Sequence, residues 1–120
     1  MSNSASQPSL VDAARTAGVV AATGFNYRYY PSVTRARELL EAGRIGEVDH
    51  IRSYSGYSAT DHSHEWLHDA AVMGGGALRD NGIHLLDLTC HLLGDEVVEA
   101  TGMLSGRIWG VDGCGDNGYL

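Results

Sequence analysis

The amino-acid sequence predicts one soluble core of mixed helix and strand, and three observations carry the prediction. Apolar residues make up 43% of a chain of 120, which is material for one core, because cores of about 100 to 150 residues are the commonest. Stretches of helical periodicity alternate with stretches rich in β-branched and aromatic residues, in the order helix, strand, helix, strand, helix, strand. The longest helical stretch, GGGALRDNGIHLLDLTCHLLG at 74–94, sets Asp80, His84, Asp87 and His91 among leucines. At about 100° per residue these four fall on a single stripe roughly 60° wide.

Each element has a local cause. Ser9 caps a short helix with Asp12 three residues on, Leu10, Val11, Ala13, Ala14 and Ala17 follow, and Gly18 ends it. VVAATGF (19–25) reads as a buried strand, of the kind that a parallel sheet flanks on both sides. Pro31 opens a second helix with Val33, Ala36, Leu39 and Leu40 on one face, an Arg37 to Glu41 pair on the other, and Gly43 as its stop. EVDHIRSYSGYS (47–58) has the composition of a strand wetted on one face. The segment 59–73 is a polar, histidine-rich loop that leads into three glycines, and the helix within 74–94 follows. EVVEATGMLSGRIWG (96–110) reads as a strand or hairpin, and VDGCGDNGYL (111–120) as turns.

Composition excludes several function classes. The net charge is −7, and the eight cations, all arginine, are spread along the chain, so a nucleic acid partner is not expected. No apolar run approaches the ~18 residues of a membrane span. The opening MSNSASQPS lacks a cationic start and an apolar centre, so residues 1–9 are expected to be a disordered tail rather than an export signal. The two cysteines, Cys90 and Cys114, are too few for a disulfide framework, and a cytoplasmic location fits them.

Four motifs carry possible chemistry. GCGDNG (113–118) has the G-x-G-x-x-G form, but a dinucleotide-binding loop must open a helix, and only Tyr119 and Leu120 follow. HEWLH (64–68) has the spacing of a zinc site through His64 and His68 with Glu65 as base, which makes a metal-binding module or small metallohydrolase the alternative reading. NYRYY (26–30) lies just past an apolar stretch, where it either contacts a ligand or packs its aromatics as a linker. The stripe on 74–94 differs from an ordinary solvated face, which favours Lys, Glu, Gln or Arg. It uses short aspartates and histidine, whose proton exchanges near neutral pH, so Asp80 and His84 are the candidate acid–base pair.

The residues Gly74, Gly75, Gly76, Leu78, Asp80, Gly82, His84 and Asp87 spell G-G-G-x-L-x-D-x-G-x-H-x-x-D, and this pattern resembles the Gfo/Idh/MocA family of sugar and polyol oxidoreductases. FNYRYYPSVTRARELLEAGRIGEV is similar to that family's entry into its second domain, the Trp66 loop precedes the glycines as expected, and HLLGDEVVEATG continues the pattern. The resemblance implies an α+β fold, a partial C-terminal domain with an open antiparallel sheet and helices on one face. Residues 10–30 would be the last helix–strand unit of a Rossmann domain, and 31–120 a truncated substrate domain. It implies His84 as the base that takes a hydroxyl proton, Asp80 as its partner, substrate contacts from Asn26, Arg28, Trp66 and Asp87, and cofactor contacts from Gly75 and Gly76. NAD or NADP would serve the full-length parent, with a small sugar or polyol as substrate and a homo-oligomer formed through the C-terminal sheet. The family's active site also uses a lysine of an E-K-P motif. This chain contains no lysine, so alone it is expected to bind no cofactor and to be inactive.

Overall fold

The computed structural model describes residues 9–56, 66, 69–107 and 115–120. Helix α1 (Leu10–Ala17) starts where Ser9 accepts a hydrogen bond from the Asp12 amide and ends at Gly18, whose φ of 65° closes the last turn. A 3₁₀ turn (Asn26–Tyr29) leads into α2 (Pro31–Glu41), with proline in its first turn. Arg37 Nε donates to Glu41 at 2.7 Å, the pair expected from their spacing. Gly43, at φ 66°, lets the Arg44 amide return to the Leu39 carbonyl, and the helix stops there.

Asp69 caps a short helix, α3 (Ala70–Met73), by accepting from the amides of Ala71 and Val72. This turn of helix lies in the segment expected to be loop, and its cause is that local aspartate cap. The expected single helix over 74–94 is divided. A π-helical turn (Leu78–Gly82) comes first, with the Ile83 amide reaching back to the Leu78 carbonyl, and α4 (Ile83–Leu93) continues to the left-handed cap at Gly94.

The described residues hold a two-stranded antiparallel sheet, β1 (Met103–Ser105) with β2 (Asn117–Tyr119), in the register Met103 to Tyr119, Leu104 to Gly118 and Ser105 to Asn117. Helices beside a small antiparallel sheet are compatible with the α+β expectation. The strand expected over 19–25 does not form, nor does the described part, 47–56, of the one expected over 47–58, and of the described residues 96–107 only β1 is strand. The reason is physical: a strand exists through its neighbour's ladder, and an apolar stretch without that neighbour has no partner for its amides. Val20 is accordingly 96% exposed. Residues 117–119, expected to be turn, are strand because β1 offers them a ladder.

The core sits between α4, the 3₁₀ turn and α2 on one side, and between the π turn and β2 on the other. Gly118 brings β2 against the side chain of Leu78 on the π turn. The radius of gyration, 18.1 Å, exceeds the roughly 14 Å of a compact domain of this length, so much apolar surface lies outside this core.

Candidate functional site

The stripe on the 74–94 segment is half-buried. Three of its members, His84, Asp87 and His91, meet the 3₁₀ turn and α2 in sequence order along α4. His84 comes first. The Phe25 ring meets its imidazole edge-on, with centroids 5.9 Å apart at 89°, and the Tyr27 ring lies over it at 4.9 Å and 30°. Tyr30 extends the array, 5.2 Å from Tyr27. The Nδ1 atom of His84 is buried without a hydrogen-bond partner among the described residues.

Asp87, one turn on, takes a two-pronged ion pair from Arg28. Arg28 Nε donates to one carboxylate oxygen at 2.8 Å and Nη2 to the other. The Asp87 side chain is 8% exposed and that of Arg28 40%. The same guanidinium lies over the Phe25 ring, 5.5 Å from its centroid, and the hydrogen bond to Asp87 raises the Arg28 pKa above its ordinary value. His91 closes the row: Arg37 Nη1 donates to its Nδ1 at 2.9 Å. Burial, then the charges of Arg37 and Arg28, lower the His91 pKa.

Asp80 lies half-buried on the π turn, four residues before His84. Wide turns of this kind recur where function distorts a helix, and here the distortion falls on the aspartate that the sequence singles out. The structure thus brings NYRYY and the stripe into one place: Arg28 joins Asp87, and Tyr27 joins His84. Asn26 sits on the same 3₁₀ turn, exposed. Trp66 stands 47% exposed and outside the ring array around His84.

The glycines at 74–76 do something local. Gly74 and Gly76 adopt φ of 65° and 64°, and a Cβ on Gly76 would collide with the backbone of Gly115. The Ala77 amide donates to the Gly115 carbonyl at 2.6 Å. The Ala77 amide is thereby engaged, and the turn at 74–76 packs closely against Gly115. His64 and His68 lie outside the described residues, and among the described residues no cluster of three or more metal-ligating side chains occurs.

Sequence reasoning missed Phe25 and Tyr27 as partners of His84. The available signal was the aromatic density of FNYRYY around Arg28.

Residues 33–118 match the model of the GFO/IDH/MocA C-terminal domain. The chain is 32% identical over 89 residues to levoglucosan dehydrogenase of Pseudarthrobacter phenanthrenivorans, covering 72% of this chain and 23% of that protein. It is 33% identical over 88 residues to dTDP-3,4-didehydro-2,6-dideoxy-alpha-D-glucose 3-reductase of Streptomyces violaceoruber, covering 73% and 25%. With inositol 2-dehydrogenase of Rhizobium meliloti the identity is 36% over 78 residues, covering 65% and 22%. The chain therefore spans between 22% and 25% of the length of these relatives. No solved structure gives a significant match.

Proposed function

This chain belongs to the GFO/IDH/MocA family, and on that premise we propose that it is part of an NAD(P)-dependent oxidoreductase acting on a secondary alcohol of a sugar or polyol. The observation that carries the reading is the placement of His84: an imidazole boxed by two aromatic rings, on the helix that continues from the π turn bearing Asp80. The relatives support the substrate class, since those named act on levoglucosan, on a keto-sugar nucleotide and on inositol.

In this reading His84 takes the hydroxyl proton as the alcohol carbon is oxidised, and returns it in the reverse reaction. With Nδ1 buried, Nε2 is the nitrogen that exchanges the proton. Asp80 holds the substrate hydroxyl or the imidazole, and Asn26 and Trp66, both exposed, are the side chains open to the rest of the substrate. NAD or NADP, held by a Rossmann domain and contacted from this chain by Gly75 and Gly76, would take up the hydride, and this chain has no lysine to complete the family's active site. The chain alone is therefore inactive in this account.

The test is to join the chain to a Rossmann half from a related family member and measure turnover with sugar and polyol substrates. His84→Ala should lower kcat by roughly 10²- to 10⁴-fold, the range for loss of a general base, with little change in cofactor affinity. Turnover that survives His84→Ala would overturn the assignment.

A further inference from the structure

We propose that Tyr27 is a positioning residue for His84, and that the Arg28–Asp87 ion pair is the latch that keeps it in place. The inference rests on His84 being the base, and deepens that reading. A histidine that works through one ring nitrogen is normally oriented by a hydrogen bond at the other, which also fixes its tautomer. His84 lacks that bond at Nδ1 among the described residues. The torsion that turns an imidazole about its stem is soft, so another restraint is needed to keep the ring at one angle. The rings supply it. Tyr27 covers one face of the imidazole at 4.9 Å and Phe25 meets it edge-on at 5.9 Å, which limits rotation from two directions.

Both aromatic residues lie at the 3₁₀ turn, which by itself is only four residues long. Arg28, the next residue in that turn, ties it to α4 through Asp87, three positions beyond His84. The guanidinium also lies over the Phe25 ring, so one side chain fixes the turn and one wall of the box together. Arg28 and Asp87, expected from the sequence to touch substrate, are in this account engaged with each other and act on the substrate through the angle of the His84 ring.

Histidine-labelled chain gives a direct readout by NMR. The His84 ring protons, assigned by their loss in His84→Gln, should carry a ring-current displacement that Tyr27→Leu reduces to the part due to Phe25 and Tyr27→Phe retains. Asp87→Asn removes no ring and should shrink the displacement by loosening the latch, with helicity by circular dichroism unchanged. In the two-domain enzyme, Tyr27→Leu should lower kcat by about 10- to 100-fold, the scale of a misplaced catalytic group, with KM for the cofactor unchanged and Tyr27→Phe close to wild type. His84 resonances that do not move in Tyr27→Leu, or a Tyr27→Phe enzyme as slow as Tyr27→Leu, would overturn the positioning role. A His84→Ala enzyme with full turnover would instead overturn the base assignment, while the ring-current result would still report the contact.

Discussion

At the scale of single residues, the two partners of the stripe's ion pair differ in what the loss of each would leave behind. Arg28 reaches partly into solvent, whereas Asp87 is 8% exposed. Removing the arginine strands a carboxylate in a buried place, and removing the carboxylate leaves a cation that can turn to water. Arg28→Met should therefore lower the denaturation midpoint more than Asp87→Asn, and the double variant should recover part of the loss. Equal losses would contradict this asymmetry. His91 makes the second residue-level prediction. Burial, Arg37 and Arg28 lower its pKa below the ordinary 6.5, against smaller opposing effects of Asp87 and Glu41. As pH falls through 6.5, the unfolded chain takes up this proton before the folded chain does, so protonation favours unfolding and stability declines on the acid side. Thermal melts at about pH 7.5 and about pH 5.5 should show a smaller acid loss in His91→Gln than in wild type. The same loss in both would remove His91 from the account.

At the scale of elements, what is local was legible and what is distant was not. Ser9 and Gly18 bound α1, and Pro31 and Gly43 bound α2, because caps and stops act within one turn. The stripe was visible because helical periodicity needs no partner. Its π turn was not, although Gly82 inside a helical pattern is a trace of it: a Cβ there would meet the Leu78 side chain. The strands over 19–25 and 47–56 were misjudged for the opposite reason, since composition marks a segment able to pair but cannot supply the neighbour. Tyr27 against His84 is likewise a contact between distant segments. The glycine turn gives the element-scale test. Gly18 and Gly76 share a positive φ, but Gly18 has open space around it and Gly76 has the Gly115 backbone. Gly18→Ala should cost about 1 kcal/mol for the left-handed conformation alone, and Gly76→Ala about 3 kcal/mol or more once the collision is added. Similar costs in chemical denaturation would show that the Gly115 contact contributes nothing. Because the G-x-G-x-x-G match at 113–118 leads into β2 rather than a helix, calorimetric titration of the chain with NAD or NADP should show no micromolar binding, and such binding would contradict this reading.

At the scale of the whole molecule, apolar surface is the main feature. Val20, Val98 and Met103 are 96%, 99% and 73% exposed, and Ile83, Leu86 and Leu93 on α4 are partly so. Uncovered strands and apolar faces favour association, so sedimentation should show mass rising with concentration, and a monomer throughout would count against it. Catalysis is also a property of the whole, since proton transfer at His84 is useful only with substrate and a hydride acceptor in place. The most direct test of the central claim is the pH dependence of kcat/KM for alcohol oxidation in the two-domain enzyme carrying this chain. The account predicts an acid-side decline, as the base becomes protonated, that disappears in His84→Ala together with most of the activity. An acid limb that remains unchanged in His84→Ala would contradict it.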